Sequence, residues 1–255
     1  MKRMKFKLNR KILASIGWLL VITGIIVLMG FIESKQKNII CEKVTVNIDQ
    51  RVDCFFVEKR GILNMIKKEG IEIIGKPISA IDFQLLEQIA QAHPFVNEVE
   101  VYSTLSGELR IEVSQKKPSI RIMSDVLGDF YLDQKGERLP LSKIYTDRVL
   151  LANGNIHAEH LKDLFLLATF VNKNKFWNAQ IQQIYVAWPH EIQLVTRVGR
   201  HKILLGDFSN IEEKLNKLFD FYQYGLNNKG WDLYSTIDLK YKNQVVCKKR
   251  QMKSE

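Results

Sequence analysis

The sequence predicts an α+β protein with three parts: a single transmembrane helix near the amino terminus, a β-α-α-β-β unit, and a mixed β-sheet domain backed by helices. Three observations carry this reading. Residues 12–32 form an uncharged run of 21. Beyond it, apolar residues recur either with the period of two that marks strands or at the spacings of three and four that mark helices. The composition, 46% hydrophobic and 26% charged over 255 residues, belongs to a chain that can pack one or two cores. Collagen-like, mucin-like and disulfide-scaffold classes are excluded.

The formal charge of +10 points at first to nucleic acid. Six basic residues lie in 1–11 and four, with Glu255, in 248–255; with both segments set aside, 28 basic residues face 27 acidic ones. The body is nearly neutral, so no nucleic-acid partner is expected. At about 1.5 Å per residue, helical residues 12–32 span roughly 30 Å, the thickness of a bilayer's hydrocarbon core. A signal peptide needs a shorter apolar core, and Gly30-Phe31-Ile32-Glu33 is a poor cleavage site. The six positive charges before the span place residues 1–11 in the cytoplasm as a basic tail, and everything after residue 32 outside it. Cys41, Cys54 and Cys247 are too few and scattered for a zinc site. They read as small buried hydrophobes, with a Cys41–Cys54 or Cys41–Cys247 bridge left open for an extracytoplasmic chain.

The first extracytoplasmic domain covers residues 40–115. Residues 44–49 alternate as a strand, and 58–69 carry Ile62, Met65 and Ile66 at helical spacing before Gly70. After Pro77 a second helix presents Ile81, Leu85 and Ile89, with Ser79 or Asp82 as N-cap, and His93-Pro94 ends it. Val99 and Val101, the turn Leu105-Ser106-Gly107, then Leu109, Ile111 and Val113 read as a hairpin.

The second domain covers residues 116–247, followed by a basic tail, 248–255. Its elements are a turn at 133–136, a short buried strand at 149–151, and a helix over 157–172 presenting Leu161, Leu164, Phe165, Ala168 and Val171. Strands at 181–186, 192–197 and 202–205 are linked through Trp188-Pro189-His190 and Gly199. An amphipathic helix with Ile211, Leu215, Leu218, Phe219, Tyr222 and Leu226 follows, then apolar-alternating segments at 235–242 and 244–248.

No phosphate loop, nucleophile elbow or metalloprotease signature occurs. His157 and His160 are three apart at a helix start but lack a third ligand in sequence. Glu212 and Glu213 fit the first turn of a helix, where carboxylates favour the positive dipole end. No enzyme, cofactor or metal is therefore predicted.

The β-α-α-β-β unit, with His93-Pro94-Phe95-Val96 leading into Val99-Glu100-Val101-Tyr102 and Gly107 to Val113 returning, resembles a POTRA domain. Gln115-Lys116-Lys117-Pro118 is similar to the junction into the β domain of the bacterial cell-division family FtsQ/DivIB. Further matches are Tyr131-Leu132-Asp133 with Gly136, Ile203-Leu204-Leu205-Gly206, and the ending Ile237-Asp238-Leu239-Lys240-Tyr241 with Asn243 to Val246. The resemblance implies a non-enzymatic bitopic scaffold of the cell-division complex in the inner (cytoplasmic) membrane, enriched at the septum. It would join FtsB- and FtsL-like division proteins, among other divisome membrane proteins, to septal peptidoglycan synthesis, and hold the lipid bilayer through one helix. Members often carry arginine where this chain has Lys240, which keeps the charge without the bidentate fork. A POTRA-bearing envelope assembly or secretion factor and a membrane-anchored envelope enzyme are the alternatives. The first would need a barrel or a further POTRA unit, the second a cleft of clustered polar residues.

The partner site is predicted at the carboxy-terminal strand. Segment 235–242 puts Ile237, Leu239 and Tyr241 on one face, and Val245-Val246-Cys247 continues it as a sheet edge. Lys240, Lys242, Lys248, Lys249 and Arg250 would attract an acidic segment; by resemblance this belongs to FtsB. The residues assigned to binding are Lys240, Tyr241, Lys242, Asn243, Val245, Val246 and Lys248. The POTRA-like unit is expected to dock a neighbour through an edge strand, against the plainer reading of a spacer.

Overall fold

The structure is a computed structural model that describes residues 18–27, 39–49, 54–187, 191–226 and 230–251. Residues 18–27 are helical with exposed side chains and form α1. The remainder of the predicted 12–32 span, the 1–11 tail and the Trp188-Pro189-His190 turn lie outside the described residues. Among the described residues no helix is long and apolar enough to cross a membrane. The chain divides into two compact units, one of residues 1–49 and 57–114, the other of 50–56 and 115–255.

In the first unit, β1 (Lys43–Ile48), α2 (Lys59–Lys68), α3 (Phe83–Gln91), β2 (Val96–Ser103) and β3 (Glu108–Gln115) build a three-stranded sheet of order β1-β3-β2. β1 runs parallel to β3, Val46 beside Ile111, which requires the long crossover that the two helices and β2 supply. α2 buries Ile62 and Ile66 as its spacing predicts, and Gly70 takes φ 73° beyond its end. Of the two N-cap candidates for α3, Asp82 is the one, accepting from the Leu85 N–H at 3.0 Å. Its buried face differs from the expected one. Helix begins only at Phe83, so Leu86 and Ala90 point inward while Leu85 is 42% exposed.

The second unit carries a nine-stranded mixed sheet: β4 (Pro118–Ser124), β5 (Gly128–Asp133), β6 (Arg138–Leu139), β7 (Leu150–Gly154), β8 (Ile181–Ala187), β9 (Glu191–Thr196), β10 (Lys202–Gly206), β11 (Tyr234–Asp238) and β12 (Val246–Lys249). Their order is β12-β11-β10-β9-β8-β7-β4-β5-β6. The predicted turn at 133–136 is held by Asp133 Oδ1, which accepts from the N–H groups of Lys135 at 2.8 Å and Glu137 at 2.9 Å. α4 (His160–Lys173) starts later than the expected 157, and its buried side is Leu164, Leu167, Ala168 and Val171. A short helix that the periodicity does not show, α5 (Lys175–Gln180), starts where Asn174 Oδ1 accepts from Phe176 and Trp177 N–H. α6 (Ile211–Asp220) widens into a π turn at Phe221–Leu226. The helices pack Leu164, Trp177, Leu215 and Tyr222 against sheet residues such as Ile122, Ile184, Leu194 and Ile237 in one continuous core.

Candidate partner-binding strand

β11 lies between β10, to which it is parallel, and β12, to which it is antiparallel. Among the described residues β12 is therefore one edge of the sheet, with β6 the other. Its register sets Val246 opposite Asp238, Cys247 opposite Ile237 and Lys248 opposite Thr236.

The expected single strand over 235–242, continued by Val245-Val246-Cys247, is corrected: the strand stops at Asp238 and the chain reverses before Val246. Leu239 N–H still bonds to the Leu204 carbonyl at 2.9 Å, but Lys240 N–H turns back to Asp238 Oδ1 at 2.9 Å. An aspartate bonding two residues ahead imitates a backbone turn and competes with the ladder. Asn243 then takes φ 59°, a left-handed conformation that asparagine tolerates. Ile237 and Leu239 are buried as predicted; Tyr241, their expected companion, sits on the turn and is 49% exposed.

The turn is pinned. Lys217 Nζ on α6 donates to the carbonyls of Leu239 at 3.1 Å and Tyr241 at 2.6 Å. Lys240 Nζ reaches Glu191 Oε1 at 2.8 Å and Asp238 Oδ2 at 3.5 Å. The Glu191 contact holds its ammonium proton more firmly than usual. Lys240 is thus a tie across the sheet end.

Backbone direction along β12 follows from its last bond. Arg250 N–H donates to the Leu233 carbonyl at 2.9 Å, toward β11. Alternate residues face alternate ways, so Val246 and Lys248 also present their backbones to β11, while Cys247 and Lys249 present theirs outward. Side chains alternate between the two faces of the sheet: Val245 and Cys247 pack on the core, and Val246 and Lys248 are exposed. Burial pushes the Cys247 thiol up, which keeps it neutral. Arg250 closes the strand, its guanidinium donating to the carbonyls of Arg200 at 2.6 Å and Asp232 at 3.3 Å.

Of the seven residues assigned from sequence, Lys240, Tyr241, Lys242 and Asn243 lie in the turn, Val245 leads into β12, and Val246 and Lys248 lie in it. The outward backbones of Cys247 and Lys249 escape sequence reading because they depend on where the chain reverses; Asp238 and Asn243 are the signal that could have located it. Among the described residues no three metal-ligating side chains cluster, and Cys41, Cys54 and Cys247 form no disulfide. His160 Nδ1 accepts from the His157 N–H at 3.0 Å, a helix-start bond.

An FtsQ/DivIB C-terminal related model matches residues 117–248, just over half of the chain, through the end of β12 but for one residue. The chain belongs to the FtsQ/DivIB family. A POTRA-like domain model matches residues 39–114 in front of that FtsQ/DivIB segment. A search of curated proteins found no match. Within this FtsQ/DivIB domain the last matched residue, Lys248, falls in the edge strand, so the family's domain includes that edge of the sheet.

Proposed function

We propose that this chain is a non-enzymatic, bitopic cell-division scaffold whose edge strand β12 takes up an extended segment of an FtsB-like partner, with FtsL-like and other divisome membrane proteins in the same assembly. Family membership supports the division role. Residues 12–32 would span the inner membrane, with 1–11 in the cytoplasm and the POTRA-like and β domains outside it, at the septum.

The observation that carries the binding mode is that, among the described residues, β12 has a neighbour on one side only, leaving the outward N–H and C=O groups of Cys247 and Lys249 to a further strand. Lys248 and Lys249 are exposed beside that row and set the register of an acidic segment, while the pinned turn presents Tyr241 and Lys242 already in place.

The test uses Lys249→Pro in the full chain. Proline there removes an outward donor and covers it with its ring, and an edge position tolerates it. The variant keeps its melting temperature and loses co-purification of the FtsB-like protein. Retained co-purification by Lys249→Pro and by Lys248→Glu together would sink the strand-addition reading.

A further inference from the structure

The second unit contains a cavity of about 480 Å³ at the end of the sheet where β4, β7 and β8 begin and β9 finishes. Four basic side chains line it, each from a different place in the chain: Lys117 ahead of β4, Arg148 ahead of β7, Lys173 at the end of α4 and Arg197 after β9. None of the four is in an ion pair among the described residues, whereas Lys116, next to Lys117, is paired with Glu137 at 2.9 Å.

One acid lines the same cavity, and it is occupied. Asp147 Oδ1 accepts from the Arg148 N–H at 2.8 Å, and its Oδ2 accepts from Cys54 Sγ at 3.4 Å. Four cations therefore face one carboxylate. Lys173 is partly offset by the carbonyl end of α4, which leaves the two arginines and Lys117 as the main unbalanced charges. Like charges around one concavity repel one another, and an anion among them relieves that repulsion.

The neutral groups have the matching polarity. Ser119, 7% exposed, accepts from Asn172 Nδ2 at its Oγ at 3.1 Å, so its own O–H is free to donate elsewhere. Asn178 adds a side-chain amide at the wall. Two guanidinium forks with a hydroxyl and an amide suit tetrahedral oxyanions, since arginine binds phosphate oxygens two at a time.

We propose that this cavity is a phosphate-binding site, separate from the β12 edge, that takes a ligand through its anionic phosphate groups. The source is either a soluble phosphate compound or a phospholipid headgroup.

The full chain in neutral detergent micelles is titrated with pyrophosphate by calorimetry at low salt. In a parallel arm its melting temperature is followed as short-chain phosphatidylglycerol is doped into the micelles. Arg148→Gln with Arg197→Gln weakens binding by about tenfold per arginine, the size of a lost charge-assisted bond. Both side chains are exposed, so the variant folds, and Lys173→Gln is a milder second variant. Lys248→Gln with Lys249→Gln is the control for diffuse attraction. Pyrophosphate binding lost only in the cavity variants supports the site with a soluble source; a phosphatidylglycerol response alone, lost in the same variants, supports it with a headgroup source. Binding of neither probe, cavity variants that bind like the parent, or equal loss in the control would each overturn the proposal.

Discussion

Lys240 Nζ stands 2.8 Å from Glu191 Oε1, joining the turn after β11 to the start of β9. Its stem also lies over Gly206, where an added Cβ would come within 2.7 Å of Lys240 Cγ. Both partners are partly solvated, Lys240 by 41% and Glu191 by 33%, so solvent screening keeps the pair weak. A double-mutant cycle of Glu191→Gln and Lys240→Gln in urea denaturation should return a coupling of about 0.3–1 kcal/mol. Lys240→Glu would set three acids together at that corner and open the turn. Charge reversal at Lys248 is therefore the cleaner probe of binding.

Gly154, at the end of β7, has φ 103°, and a Cβ there would collide with the Val186 carbonyl on β8. Both conformation and space demand glycine. Gly128→Ala meets the conformational cost alone, because nothing lies within 4 Å of its Cβ position at φ 75°. Urea midpoints should rank Gly154→Ala well below Gly128→Ala, the latter losing about 1 kcal/mol. Equal losses would mean that β7 and β8 can separate there without cost.

The strands and long helices were legible because burial imposes their periods: Ile62 with Ile66, Ile237 with Leu239, and the alternation of 192–196 all fall on the core side. What was lost is local backbone chemistry. Asp238 competing for the Lys240 N–H ended a strand whose apolar alternation ran on to Tyr241, and Asn174 capped a six-residue helix too short to show a period. The cavity basic residues, Lys117, Arg148, Lys173 and Arg197, are spread over 81 positions, so only folding gathers them.

The POTRA-like unit has two edge strands, β1 and β2, flanking β3. β1 carries Thr45 and Asn47, whose side chains bond across to Glu108 at 2.5 Å and Glu112 at 2.9 Å on β3. These bonds hold the edge strand in register. Deleting residues 40–115 while keeping the preceding segment and the β domain should abolish septal recruitment of a fluorescent fusion. Unchanged recruitment would leave this unit the role of a spacer.

His201 is 2% exposed, with Nε2 2.8 Å from the Tyr222 hydroxyl and the Trp231 ring stacked at 6.4 Å. Its Nδ1 has no hydrogen bond among the described residues. Burial pushes its pKa down and Arg250 adds to this, while the Gly199 and Trp231 backbones and Asp232 oppose it too weakly to reverse the direction. A base with a lowered folded-state pKa is more readily protonated in the unfolded chain. Stability is thus full above the ordinary value of 6.5, and it falls as pH drops from there toward the folded-state pKa. His93 is lowered by burial in the same direction, so part of the slope belongs to it. Urea midpoints taken from pH 7.5 down to 5.5 should decline, and His201→Gln, which keeps a polar atom for Tyr222, should flatten the decline without removing it. His201 follows Arg200, whose carbonyl accepts from the Arg250 guanidinium, so protonation loosens the anchor of β12. Capture of the proposed FtsB-like partner should then weaken below that interval, where folded His201 itself takes up a proton, in the parent and less in His201→Gln; parallel pH profiles for the two proteins would disconnect His201 from the edge strand.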